Sequence, residues 1–251
     1  MKHTQLLIVF LLISLNLFSQ TSGTVYYKYT IKKDLFSKEK IKKDDKNRNG
    51  SLSLINKSLR ENADKIEFKL QFNKTESLYT FIENMDIDSN NMSYKIAKTL
   101  SGGNSVFYQN SKEKIQLTQK ISYGKEFLIL DSINSVKWSL INERKKIGNY
   151  ICYKATTINV VKNSKGTFKT KIIAWYTPQL PFNFGPQGYA GLPGLILEFE
   201  EKNRILQAIK IKLNNKKTIL IKRPKKGKFL HATEYKMMEE EIINNSKRKR
   251  K

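Results

Sequence analysis

Apolar and polar residues alternate with a period of two along most of this chain. Ile66, Phe68, Leu70 and Phe72 point one way while Lys65, Glu67, Lys69 and Gln71 point the other, the pattern of a strand with one face buried. Val25, Tyr27, Tyr29 and Ile31 alternate in the same manner. Asn73-Lys74-Thr75-Glu76 predicts a turn, and Leu78, Thr80 and Ile82 continue as the return strand of a hairpin. Further strand-like runs fall at 92–97, 105–109, 114–121, 125–130, 136–140, 150–160, 168–176, 195–200, 204–213 and 218–221. Turn residues such as Gly102-Gly103, Tyr123-Gly124 and Gly148-Asn149 separate several of them. Two stretches follow the helical period instead. Leu52, Ile55, Leu59 and Ala63 predict a short helix over 51–63 with Ser51 as its cap. Thr233 to Ile243 places Tyr235, Met238 and Ile242 on one side of a C-terminal helix.

Short strands in this rhythm, without a βαβ alternation, predict a mainly β fold. The expected architecture is a curved antiparallel sheet closing toward a sandwich or half-barrel, with the two helices appended. Residues 1–20 read as a secretory signal: Lys2 and His3, an apolar run from Leu6 to Phe18, then Ser19-Gln20. That run is shorter than the roughly twenty residues a spanning helix needs, so the expectation is removal of the signal and no retained span. Residues 21–245 are expected to form one β-rich domain, and 246–251 a basic disordered tail.

Charge changes the picture less than its size suggests. The chain carries a formal net charge of +25, concentrated in 32–48, 216–228 and the tail Lys247 to Lys251. Such a charge suits polyanions, yet the export signal makes specific nucleic acid an unexpected partner. Solvated faces, or contact with an anionic envelope surface, account for it. One cysteine, Cys152, permits no intrachain disulfide, and its strand-like setting predicts a buried, inert thiol.

Candidate chemistry is sparse. Once His3 leaves with the signal, His231 is the single histidine, too few for a zinc site of the usual kind. No Gly-x-Ser-x-Gly elbow is present to receive it in a triad. No metal site or cofactor is expected, and catalysis is disfavoured. Glu198 and Glu200, two apart on a strand, share a face and form a weak candidate acidic pair. The fuller signal lies in 175–194, which gathers four of the five prolines and four of the twelve glycines. Trp175, Tyr176, Pro178, Gly185, Pro186, Tyr189, Gly191, Leu192, Pro193 and Gly194 form a rigid aromatic frame. It serves either as a plug on the end of the core or as a surface for a partner.

Val136-Lys137-Trp138-Ser139-Leu140, Lys146 to Thr157, Ala174 to Pro178, Gly185-Pro186 and Gly191-Leu192-Pro193-Gly194-Leu195-Ile196-Leu197-Glu198 resemble, in order and spacing, the GLPGLI family of exported Bacteroidetes proteins. The resemblance implies a periplasmic or cell-surface β-rich protein of uncharacterised role, and it supplies no catalytic residue. Together these readings favour a non-enzymatic binding or accessory protein of the cell envelope, its partner an unknown envelope protein or lipid. A carrier of lipid or another hydrophobic ligand and a carboxylate-dependent hydrolase are the alternatives.

Overall fold

The computed structural model describes residues 22–47, 50–84, 86, 90–133, 136–163, 166–214 and 218–248. The expected signal segment and the last three residues lie outside them. The strands are β1 (Ser22–Ile31), β2 (Glu67–Asn73), β3 (Glu76–Ile82), β4 (Ser105–Asn110), β5 (Ile115–Ser122), β6 (Lys125–Ser132), β7 (Ser139–Ile147), β8 (Tyr150–Asn163), β9 (Gly166–Thr177), β10 (Leu195–Glu201), β11 (Arg204–Asn214) and β12 (Lys228–His231). The helices are α1 (Lys38–Asn47), α2 (Ser51–Asn62), α3 (Met92–Ser101) and α4 (Ala232–Arg248).

The strands form one twelve-stranded sheet in the order β12-β6-β5-β4-β3-β2-β1-β11-β10-β9-β8-β7. Every pairing is antiparallel except β12 on β6, which is parallel. The fold is therefore mainly β as expected, with a helix after residue 50 and another at the C-terminus. The sheet is mixed and open: it does not close into a barrel.

The alternation of the sequence becomes the two faces of this sheet. Val25, Tyr27, Ile66, Phe68, Leu70 and Phe72 are completely buried on an inner face, because β1 and β2 pair with Tyr27 opposite Phe68 and Val25 opposite Leu70. Phe199, Leu206, Ala174 and Ile172 continue that face across β9 to β11. The turn at Asn73 forms as the sequence implies: its side-chain oxygen accepts from the amides of Thr75 (2.9 Å) and Glu76 (2.8 Å), an Asx turn. Leu59 of α2 and Tyr94 and Ala97 of α3 join the same core.

Five local expectations change. Residues 92–97 form the start of α3, not a strand. Asn91 caps it by accepting from the Tyr94 amide at 3.0 Å, and Gly102 closes it at φ 91°; the alternation of Met92, Tyr94 and Ile96 masked the wider spacing of buried Tyr94, Ala97 and Ser101. The basic stretch after β1 is likewise partly helical, as α1. In α2 the residue preceding the first turn is Gly50, at φ 73°, so Ser51 sits inside the helix and is not its cap. Residues 218–221 cross the outer face without joining the ladder. There the Ile219 amide donates to Ser22 Oγ at 3.1 Å, and its carbonyl accepts from Asn73 at 3.2 Å. Ile221 is held by Tyr108, Leu117 and Leu128. Finally, α4 runs through Arg248, so the tail expected from 246 begins inside a helix.

Candidate functional site

The proline- and glycine-rich segment leaves β9, crosses the inner face and returns into β10. Its backbone is tied at both ends: the Leu195 amide donates to Leu180 O at 2.9 Å and the Ile196 amide to Phe184 O at 3.0 Å. Leu180, Phe182, Phe184, Ala190 and Leu192 are all buried. Phe182 packs on Phe72 with ring centroids 4.5 Å apart, and Tyr189 packs on Phe199 at 4.6 Å. Trp138 donates its indole N–H to Ala190 O at 2.9 Å. Tyr176, Gly185, Pro186, Leu192 and Gly194 are buried, while Pro178, Gly191 and Pro193 face outward. The structure separates Trp175 from this group. Trp175 pairs with Glu198 in the β9–β10 register and lies on the outer face, with Lys145 Nζ 4.4 Å from its ring centroid.

Entry into β10 is marked by a bulge between Ile196 and Glu198, beside the Ile196 carbonyl. The hydroxyl of fully buried Tyr27 donates to it at 2.6 Å. Burial raises the ionisation of this phenol far above the ordinary range, so it stays a donor at any working pH. Tyr27→Phe removes the one side-chain donor to that carbonyl among the described residues. The expected loss is about 1–3 kcal/mol for a buried group left unsatisfied, read from the urea midpoint of unfolding.

The same segment builds one wall of a polar network that the sequence reading did not identify. Glu201 and Arg204 flank the β10–β11 turn on the inner face, paired across the ladder and joined by an ion pair. Arg204 also donates to Gln187 Oε1 at 3.1 Å. Gln187 is held at φ 56°, a left-handed conformation that costs about 1–2 kcal/mol in a non-glycine residue. Gln109 donates to the neighbouring Gly188 carbonyl at 2.7 Å, pinning the loop to β4. Three tyrosines surround the charged pair. Burial raises Tyr29 and Tyr79, with Arg204 opposing in each case, and pushes Tyr189 up to about 12, Glu201 adding and Arg204 opposing. Among the described residues the buried Tyr79 hydroxyl has no hydrogen-bond partner.

Arg204 and Glu201 line a cleft of about 250 Å³, together with Tyr29, Ile31, Leu59 and Leu100. Lys33 and Lys202 also line it, so three cations face one carboxylate. A signal for this site was present in the sequence. Glu201 has the parity of Leu197 and Phe199, and a charge at a core-facing position requires a partner.

The acidic pair has a different fate. Glu198 and Glu200 do share a face, the outer one, and each has its own lysine. Glu198 is buried and accepts from Lys145 Nζ at 2.7 Å through both oxygens, and from Gln207 at 3.2 Å. Glu200 pairs with Lys32 at 2.6 Å. Neither carboxylate lines the Arg204 cleft. Cys152 lies under this cluster, fully buried, and burial pushes its thiol up to about 11. His231 ends β12, and its backbone amide donates to Glu234 at 2.7 Å in the first turn of α4. Among the described residues no three His, Cys, Asp or Glu side chains gather as a metal-holding group.

Residues 138–198 match a family model described as Protein of unknown function (Porph_ging). The match spans β7 to β10, including the whole proline- and glycine-rich segment. No curated protein matches the chain. Among solved structures, PNGF-II in a C2 crystal form superposes with a TM-score of 0.52 at 15% identity, over 87% of this chain and 32% of that one. The P21 form of PNGF-II gives 0.49 at 14% identity, over 87% and 33%. The chain thus spans about a third of PNGF-II, and the likeness to the C2 form is one of fold.

Proposed function

We propose that this chain is an exported cell-envelope protein of the GLPGLI type that binds a small molecule with an apolar body and an acidic group. Its role is binding and not catalysis. The observation that carries the reading is Arg204, held at an apolar cleft by Gln187 of the proline- and glycine-rich loop on one side and Glu201 on the other. A guanidinium fixed in this way is prepared to accept a carboxylate or sulfonate with little ordering cost. Tyr29, Ile31, Leu59 and Leu100 offer the apolar contact. The family match over 138–198 supports the GLPGLI assignment, since those residues contain the Gly191–Ile196 hexapeptide. The apolar run at Leu6 to Phe18 supports export.

The volume of about 250 Å³ lies below the ~300–1,000 Å³ of pockets that enclose drug-sized ligands. The ligand is therefore a short one, and the broad lipid-carrier alternative is disfavoured. Titration with hexanoate, followed by NMR chemical shifts, tests the reading. Shifts are expected at Tyr29, Leu59 and Leu100, with hexylamine giving none. Arg204→Gln is expected to weaken hexanoate about tenfold or more, the scale of a charge-assisted hydrogen bond. Equal binding of the acid and the amine, or shifts elsewhere on the protein, would exclude the cleft as an acid site.

A further inference from the structure

Strands β8 and β9 outrun their neighbours. The β7 ladder reaches only Thr156 of β8, and the β10 ladder reaches only Ile172 of β9. Beyond those points the two strands pair with each other alone, a ribbon standing clear of the sheet. An isolated two-stranded ribbon is marginal in water because neither face is covered. This one also presents apolar side chains on both faces. Ile158 and Val160 are 60% and 47% exposed on the outer face, and Val161 and Phe168 are 48% and 50% exposed as a cross-strand pair on the inner face.

The charge around these side chains indicates what covers them. No Asp or Glu occurs anywhere between Arg144 and Leu197, a stretch with eight Lys and Arg residues. Lys169 lies opposite Val160 and Lys171 opposite Ile158, both exposed. An apolar ribbon face carrying lysines, with no acid in its own two strands, repels a second copy of itself and attracts an anionic apolar surface. Lysine stems lie along apolar surface while their ammonium groups reach the charged layer.

We infer that the β8–β9 ribbon docks on the surface of an anionic lipid bilayer by its outer face, with Ile158 and Val160 entering the boundary between headgroups and acyl chains and Lys169 and Lys171, their cross-strand neighbours, contacting the headgroups. The ribbon lies on the membrane and does not cross it, since its free backbone edges require hydrogen-bonding partners that hydrocarbon lacks. Ion pairing with headgroups makes the attachment salt-sensitive. The inference does not depend on the Arg204 cleft: Glu201 of that cleft pairs with Ile172 at the base of the ribbon, but none of the ribbon side chains invoked lines it.

The test is co-sedimentation of the purified protein with vesicles of phosphatidylcholine containing about 30% phosphatidylglycerol, against vesicles of phosphatidylcholine alone, at about 0.1 M salt. The protein is expected to pellet with the anionic vesicles and remain in solution with the neutral ones. Ile158→Asp/Val160→Asp and, separately, Lys169→Glu/Lys171→Glu are expected to lower partitioning more than tenfold with the unfolding midpoint unchanged. The lysine variant keeps the test decisive should the aspartate variant fold poorly. Failure of the wild type to pellet, equal pelleting with neutral vesicles, or full binding by the folded lysine variant would each overturn the inference. A concentration-dependent dimer abolished by Ile158→Asp/Val160→Asp would overturn it in favour of a second copy.

Discussion

Gly194→Ala is expected to destabilise the protein by about 3–5 kcal/mol, combining a left-handed backbone penalty with overpacking. Gly194 has φ 152°, and a Cβ there would sit on the Thr177 carbonyl oxygen with Pro178 N beside it. Those are backbone atoms at the end of β9, which cannot rotate away as a side chain can. Gly191 is the control within the same hexapeptide. It has φ 91°, but nothing lies within 4 Å of its Cβ position, so Gly191→Ala carries only the backbone penalty of about 1–2 kcal/mol. Urea unfolding of the two variants side by side measures the difference. Equal losses would mean that the segment yields where Gly194 meets β9, and that the close approach is not a constraint.

The second large effect belongs to the outer face. Lys145→Met is expected to cost about 2–4 kcal/mol, because it leaves the Glu198 carboxylate buried with, among the described residues, Gln207 alone to compensate it. The range lies slightly below that for breaking a fully buried pair, since the Lys145 side chain is 36% exposed against 7% for Glu198. Glu198→Leu combined with Lys145→Met is expected to recover most of the loss, as replacing both charges removes the stranded one. A double-mutant cycle on unfolding free energies reads the coupling directly. A coupling near zero would show that Glu198 does not depend on Lys145, and would reopen the acidic pair as chemistry.

Both predictions concern residues visible in the sequence, and they show where sequence reasoning stops. The crowding of glycine and proline over 185–194 announced a shaped loop. Nothing in it showed that Tyr189 would pack on Phe199 inside while Trp175 lay on the other side of the sheet. Glu198 and Glu200 share a face by parity alone, but their separate lysines come from β7 and from beyond β1. The helix at 92–101 was misread because a short apolar run satisfies both periods, although Asn91 and Gly102 were available as caps. The stretch 218–221 looks like a strand in sequence, yet side chains from β1 and β2, Ser22 and Asn73, bond the Ile219 backbone in place of a neighbouring strand.

Local pattern by itself determined which residues face the core. Side-chain direction follows from backbone period, so Ile66 to Phe72 and Val25 to Ile31 were legible one residue at a time. Strand order was decided only by the tertiary structure, which sets the N-terminal strand between β2 and β11 and lays β12 parallel to β6. Only there do Gln187, Glu201 and Arg204 meet. Period specifies a face but carries no information about which neighbour will cover it. That choice belongs to the packing of the whole chain.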